Sequence, residues 1–265
     1  MNKVKVVHIV EDMRTGGQER VIAGIAAGLD RQRFEQEIWC LSRGGDVADM
    51  LVDRGYKVEV LGMRSHREMR FLLRLVKRLR DGNVDLVHTH GVSGNGVGRL
   101  AAELAGLPVL AHIHTLQLQP TVKQRIVERL LMPRTRRIVC CARAVADSYV
   151  AAYGGSERIT VVYNGVDLKR FEKPEGSLPF KKDGLVAGCI ASLYPHKGHR
   201  FLIDAVRDVR KRFPGKVTFV LVGRGPLLDE LKRQAREQGV DEVVMFHDVV
   251  SDISQLIHWF DLLVL

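Results

Sequence analysis

The sequence predicts an α/β protein of two Rossmann-like parallel-sheet domains, the second incomplete. Three observations carry this reading. Apolar runs of strand length alternate with segments whose apolar residues recur at helical spacing along nearly the whole chain. The alternation lapses between Asn164 and Gly184 and then restarts. The chain stops inside an apolar run, D-L-L-V-L, at Asp261 to Leu265. Alternation of this kind means βαβ units, a parallel sheet and helices on both of its faces. Ligands in such sheets sit beyond the carboxyl ends of the strands, so function is to be sought in the loops there.

In the first domain, residues 1–163, the strand run Lys3 to Val10 comes first. Gln18 to Leu29 follows as a helix, with Val21, Ile22, Ile25, Ala26 and Leu29 on one face. Phe34 to Leu41 is a strand, a short helix runs through Met50 and Leu51, and Lys57 to Leu61 is a strand. A helix over His66 to Arg80 leads to the strand Leu86 to Thr89, and a helix over Asn95 to Leu104 leads to Val109 to Ile113. Val122 to Met132 and Ala142 to Tyr153 are helices on either side of the strand Arg137 to Cys140. Gly154 and Gly155 end the second of these as a C-cap would, before the strand Ile159 to Val162. Residues 164–184, broken by Pro174, Pro179, Gly165, Gly176 and Gly184, read as a linker.

The second domain, residues 185–265, restarts with the strand Leu185 to Ala191 and the helix His199 to Arg212. Val217 to Val222, Val243 to Phe246 and Leu262 to Leu265 are its further strands, with helices over Pro226 to Gln238 and Ile253 to Phe260. A domain seldom ends on a bare buried strand, which makes a truncated chain the expectation.

With 46% hydrophobic and 27% charged residues the chain can bury a core. No apolar run approaches the roughly 20 residues of a membrane span, and the N-terminal run carries no signal-peptide cleavage pattern. Cys40, Cys140, Cys141 and Cys189 lie in apolar runs without metal-ligand spacing, as reduced thiols of a cytoplasmic protein would. A net charge of +10 favours anionic partners. Aromatic residues make up only 6% and are not interleaved with the cations, so no nucleic-acid partner is expected.

Four stretches carry chemistry. In E-D-M-R-T-G-G-Q-E-R, Gly16 and Gly17 join a strand to a helix, where missing side chains let a substrate approach backbone N–H groups; a tight turn would use the same pair. His88 and His90 end one strand, and His112 and His114 end the next; the period of two puts each pair on one side. No acidic or cysteine partner has ligand spacing, so the expectation is no metal, with His114 as a hydrogen-bonding or acid/base group. In L-V-A-G-C-I-A-S-L-Y-P-H-K-G, Lys197 arrives at a helix N-terminus, where an ammonium and free N–H groups can hold a phosphate; an exposed surface loop is the alternative. Arg64 to Arg80 sets seven cations against Glu68, with Met69, Leu72, Leu73, Val76 and Leu79 at helical spacing and Phe71 and Leu75 bordering the basic side. Basic amphipathic helices bind acidic membranes at about 1 kcal/mol per cation near the surface; a solvated face on a packed helix is the alternative.

Gly16-Gly17, H-T-H-G at 88–91, H-T at 114–115, V-Y-N-G-V-D-L-K-R-F at 162–171, L-Y-P-H-K-G at 193–198 and L-V-G-R-G-P-L at 221–227 fall in one order. Together they resemble the retaining glycosyltransferases of family 4, the "group 1" set with the GT-B fold, over the whole chain. The resemblance implies a retaining, hexosyl-type transferase that needs no cofactor or metal. It would move a sugar from a nucleotide-diphosphate sugar to a glycan or lipid-linked acceptor in envelope polysaccharide or glycolipid synthesis. Gly16 and Gly17, with His88 and His90, would lie on the acceptor side, and His114 would contact the transferred sugar. Lys197 would hold the donor diphosphate, and Gly223, Gly225 and Pro226 would shape the loop near the base. Work on lipid-linked acceptors implies a peripheral site on the inner face of the plasma membrane, through Arg67, Arg70, Arg74 and Lys77.

Two departures matter. Where the family has G-R-L this chain has A-S-L, so uncharged Ser192 stands in place of a diphosphate-binding arginine. The family's pair of donor-binding glutamates falls after L-L-V-L, and Gly184 to Leu265 supplies 82 residues, about half of a domain. The rival expectation is therefore a truncated, non-catalytic fragment that retains acceptor or membrane binding.

Overall fold

The computed structural model describes residues 3–66, 68–172, 184–250 and 253–265. It divides into two compact units, one up to Gly165 and one from Val166. Of the expected linker, residues 173–183 lie outside the described residues, as does Arg67.

In the first unit β1 (Val4–Val10), β2 (Phe34–Cys40), β3 (Lys57–Val60), β4 (Leu86–His90), β5 (Val109–Ile113), β6 (Arg137–Cys140) and β7 (Ile159–Val161) form one parallel sheet in the order β3-β2-β1-β4-β5-β6-β7. The helices are α1 (Gly17–Gly28), α2 (Asp46–Asp53), α3 (Met69–Asp81), α4 (Gly91–Ser93), α5 (Arg99–Ala105), α6 (Val122–Leu131) and α7 (Arg143–Tyr153). The chain winds outward from β1 to β3, and α3 carries it back so that β4 pairs with the other edge of β1. That reversal is a topological switch point, where the loops leaving β1 and β4 diverge and leave room for a ligand.

Central strands of a parallel sheet are covered on both faces, and β1 is buried from Val6 through Val10. Val7, Ile9, Val87 and Val109 pack under Leu75, Leu79, Ala101 and Ala102 of α3 and α5. On the opposite face Val10, Ile38 and Cys40 meet Ile22, Val47 and Leu51 of α1 and α2. The helix expected from Asn95 starts earlier, as α4, and widens into a π-turn, Gly94–Gly98, before α5. Backbone crowding explains the turn: any Cβ on Gly94 would press on the Ile9 carbonyl. Asn95 then donates to the His112 carbonyl at 3.0 Å and accepts from the Thr89 hydroxyl at 2.7 Å.

The basic helix is the main correction. α3 buries Phe71, Leu75, Val76 and Leu79, while Met69 and Leu73 are 64% and 59% exposed. Phe71 and Leu75 are therefore core residues rather than borders of the basic side. Its cations are also partly engaged: Arg74 pairs with Glu68 at 3.4 Å, Lys77 with Asp81 at 2.5 Å, and Arg78 with Glu59. A second apolar stripe lies exposed on α6, where Val122, Ile126 and Leu130 recur every four residues. No helix among the described residues is long and apolar enough to cross a membrane.

The second unit holds β8 (Leu185–Ile190), β9 (Val217–Val222), β10 (Val244–His247) and β11 (Leu262–Leu263), parallel in the order β10-β9-β8-β11. Its helices are α8 (His199–Arg212), α9 (Leu228–Glu237) and α10 (Ile253–Ile257). Ala187, Cys189, Ile203, Val206, Phe219, Leu221, Leu231 and Ala235 make its core. The last strand is shorter than the apolar run that predicts it, ending in a bond from Val264 N–H to the Gly188 carbonyl at 2.8 Å. α9 begins at Leu228 rather than Pro226 because Leu227 N–H is drawn to the Leu193 carbonyl at 3.2 Å.

Candidate active site

At the carboxyl ends of β1, β4 and β5 the first unit gathers five histidines. His8 pairs with His88 in register, and His90 with His112, so all lie on one sheet face, with His114 just beyond β5. The rings of His88 and His90 are 4.2 Å apart, and those of His112 and His114 are 4.1 Å apart. His8 Nδ1 faces His90 Nε2 at 3.2 Å, His90 Nδ1 faces His114 Nε2 at 3.2 Å, and His8 Nε2 meets Gln36 Oε1 at 3.3 Å. His8 and His90 are fully buried, and His88 and His112 nearly so. Burial holds His8 and His112 down to about 4 and His114 to about 3, and the other imidazoles reinforce the fall at His8 and His114. It also lowers His88 and His90 well below the ordinary value. All five are therefore neutral imidazoles near pH 7. His88 and His90, expected along an acceptor loop, lie inside this column, and half-buried His114 stands at its outer end.

Neutral imidazoles are also metal ligands, and two triples, His8–His88–His90 and His90–His112–His114, each bring one nitrogen per residue within 4.8 Å. The sequence reading excludes a metal for want of acidic or thiol partners. Histidines alone supply both triples: His8 completes the first, and the second needs only His90, His112 and His114.

The Gly16–Gly17 loop leaves β1 beside this column. Gly16 has φ −166°, extended backbone open to any residue, and Gly17 is the first helical residue of α1. A Cβ on Gly17 would meet nothing within 4 Å. Backbone conformation does not demand glycine at Gly16, but a Cβ there would overlap the Glu19 carboxylate, so only Gly17 leaves open space at the start of α1. Glu19 in the first turn of α1 is raised above the usual carboxylate value, chiefly by burial.

In the second unit, β8 runs into a loop that holds Ser192, exposed, and then a 3-10 turn, Pro195–Lys197. Gly198 takes the left-handed conformation (φ 74°) that lets α8 begin at once after Lys197. The first N–H groups of α8 have no intrahelical carbonyl to bond, and Lys197 is exposed with no ion-pair partner among the described residues. The loop after β9 lies directly on this one: Leu193 N–H bonds the Arg224 carbonyl at 2.9 Å and Ala191 N–H the Val222 carbonyl at 3.1 Å. A Cβ on Gly223 would overlap the Ala191 carbonyl, and one on Gly225 the Leu193 carbonyl. These glycines bind the two loops together, and Pro226 follows exposed at the junction.

Comparison with known proteins decides the family. Residues 15–170 match the model of Glycosyltransferase Family 4, and residues 184–265 match that of Glycosyl transferases group 1. The chain belongs to glycosyltransferase family 4. It is 27% identical over 252 residues to the UDP-Gal:alpha-D-GlcNAc-diphosphoundecaprenol alpha-1,3-galactosyltransferase of Escherichia coli, covering 87% of this chain and 65% of that protein. It is 30% identical over 200 residues to the D-inositol 3-phosphate glycosyltransferase of Actinosynnema mirum, covering 66% and 48%. The chain thus spans about half to two-thirds of the length of these relatives. Among solved structures, Anabaena HepE in complex with UDP and glucose superposes with a TM-score of 0.83 at 22% identity, covering 98% of this chain and 73% of that one. WaaG, a glycosyltransferase involved in lipopolysaccharide biosynthesis, does so at 0.72 and 17%, covering 97% and 74%. The fold is GT-B.

Ser192, exposed in the same loop as Lys197, brings no charge. The guanidinium on the adjoining loop, that of Arg224, is held by Asp248 through two bonds, one of them 2.7 Å. Three residues escape the sequence reading. His8 passes for an ordinary member of an apolar strand, although its parity with Val10 places it on the same face as His88. Gln36, on β2, gives no signal by itself. His199, the first residue of α8, is buried with neither ring nitrogen partnered, and burial, then the charge of Lys197, lower its pKa.

Proposed function

We propose that the protein transfers a sugar, with retention of configuration, from a nucleotide-diphosphate sugar to an acceptor hydroxyl in envelope polysaccharide or glycolipid synthesis. The observation that carries the donor half of this reading is the loop Ala191–Gly198. It ends β8, presents an uncommitted ammonium at Lys197 and leads straight into the amino end of α8. Lys197 and the free N–H groups of α8 would stabilise the charge that develops on the departing diphosphate, an electrostatic and positioning effect that binds the transition state more tightly than the substrate. In the first unit, His114 would meet the transferred sugar, and the space at Gly17 would admit the reacting groups. The names of two relatives point the same way: one acts on a diphosphoundecaprenol-linked sugar, and HepE holds UDP.

Lys197→Ala is expected to weaken UDP binding by about 1.5–3 kcal/mol, roughly ten- to a hundredfold in Kd. Isothermal titration of UDP into the chain and the variant reads this directly. Because Lys197 is exposed and unpaired, the variant should melt where the parent does. Equal affinities would remove the donor assignment, and Lys197→Arg should recover part of any loss.

The acceptor reading includes contact with an acidic membrane through α3. Met69 and Leu73 stand exposed beside Arg70 and Arg74, and Lys77 continues the same side of the helix; Arg67 lies outside the described residues. Reversing Arg70, Arg74 and Lys77 together to glutamate should lower partitioning into phosphatidylserine-containing vesicles by roughly a hundredfold, at about 1 kcal/mol per cation lost. The exposed pairs of Arg74 and Lys77 contribute little to folding. Unchanged vesicle binding by a folded triple variant would rule this contact out.

A further inference from the structure

The contacts of Gln36 fix a direction on the histidine column. Ala26 lies in the last turn of α1, where carbonyls lack intrahelical donors. Its oxygen accepts from Gln36 Nε2 at 3.0 Å and from the Tyr56 hydroxyl at 3.1 Å. That bond orients the amide, because the reversed one would set two carbonyl oxygens against each other. Gln36 Oε1 is thereby turned to His8 Nε2 at 3.3 Å.

An amide oxygen carries no hydrogen, so His8 must hold its proton on Nε2. A neutral imidazole has one proton, which leaves a lone pair on His8 Nδ1, 3.2 Å from His90 Nε2. His90 must then be protonated on Nε2, and its bare Nδ1 faces His114 Nε2 at 3.2 Å. The same step protonates His114 on Nε2 and leaves its Nδ1 with a lone pair. That Nδ1 is buried and has no partner in the protein. Reversing the Gln36 amide would reverse every member of the series and turn His114 Nδ1 into a donor.

We infer that Gln36 sets the tautomer of His114 through His8 and His90, so that His114 carries its proton on Nε2 and a lone pair on Nδ1. Gln36, His8 and His90 act on His114 as positioning residues, through this series of hydrogen bonds alone. The burial that keeps the rings neutral makes each one a single-proton relay, so the orientation passes along the column without loss.

The test is a long-range 1H–15N correlation spectrum of the full chain with 15N-labelled histidine at pH 7.5, recorded without ligand. His8, His90 and His114 are expected as Nε2–H tautomers, each with the Nδ1 resonance in the unprotonated range. An Nδ1–H tautomer at His114 in the parent protein overturns the proposal, whatever the variants do. In Gln36→Leu the acceptor is lost and the three rings should show averaged resonances. A folded leucine variant with unaltered tautomers would also overturn it. So would stoichiometric metal in the purified protein bound through His90, because coordination would occupy the nitrogens that the series uses. UDP affinity at Lys197 is measured separately, so failure of the tautomer pattern and failure of the donor assignment are told apart.

Discussion

Acidification from pH 7.5 to 5.5 is expected to cost the first unit most of its stability. The five imidazoles are neutral when folded, and an unfolded histidine titrates near 6.5. Above that value neither state binds the proton, so stability is flat. Below it the unfolded chain takes up protons that the folded column refuses until its own lower values are reached, about 4 for His8 and His112 and about 3 for His114. Stability therefore falls as pH falls through the window from 6.5 toward 4, by up to about 1.4 kcal/mol per pH unit for each imidazole. One unit below the unfolded value, five such groups cost on the order of 7 kcal/mol, comparable to the roughly 5–15 kcal/mol that holds a domain folded. Glu37, the buried carboxylate of β2, does not confuse the window. Burial raises Glu37, but hydrogen bonds from Lys5, Lys57 and Trp39 outweigh it and hold the group at about 2, so its contribution is lost only below the ordinary carboxylate range. Thermal melts at pH 7.5, 6.5 and 5.5 should show a plateau and then a steep fall, with His8→Gln shallower than the parent. A melting temperature that does not move between 7.5 and 5.5 would contradict the neutral column.

The histidine pairs were legible because a strand shows its parity: H-T-H and H-I-H can only put both rings on one side. Joining the pairs into a column needed the strand order, and β1 lies beside β4 only because the connection through α3 turns back. No local pattern marks that reversal, and so His8 stays hidden in V-V-H-I-V. The face of α3 failed for a related reason. Met69, Leu72, Leu73, Val76 and Leu79 read as one apolar stripe with Phe71 and Leu75 at its edge, whereas the structure buries Phe71, Leu75, Val76 and Leu79 together. Contact with Trp39 and α5 decides between them, and that contact is tertiary. Gly223 and Gly225 read as a loop motif, yet their necessity comes from the Ala191–Leu193 backbone about thirty residues earlier. Lys197 was the most legible group, because a strand, a short loop and a helix start are all local.

The second large effect is expected at Arg99. This guanidinium is 1% exposed, inside a helix layer rather than at a surface. Both Glu128 carboxylate oxygens, on α6, accept from Arg99 Nη1, at 2.8 and 2.9 Å, and Thr135 Oγ1 accepts from Arg99 Nε at 3.0 Å. The Thr135 hydroxyl in turn donates a hydrogen bond to the Leu131 carbonyl at 2.8 Å, and the Tyr149 hydroxyl donates to Glu128 from α7. Burial first, and then the Glu128 charge, push the Tyr149 hydroxyl well above its ordinary value, so it remains a donor at any working pH. α5, α6 and α7 are thus tied through one carboxylate. Glu128→Ala strands a buried cation, and removing one partner of such a pair costs about 3–5 kcal/mol. Replacing both, Arg99→Met with Glu128→Ala, also removes the charge that has to be solvated, so the double variant should be more stable than Glu128→Ala alone. Urea denaturation of the three proteins measures both differences. If Glu128→Ala cost less than 1 kcal/mol, or if the double variant fell below the single, the carboxylate would not be what keeps Arg99 buried. The ordering matters because α5 continues the π-turn whose Asn95 holds the His112 carbonyl. A loosened Arg99 should therefore disturb the histidine column as well, seen as line broadening at His112 that Glu128→Ala shows and a surface control such as Glu157→Ala does not.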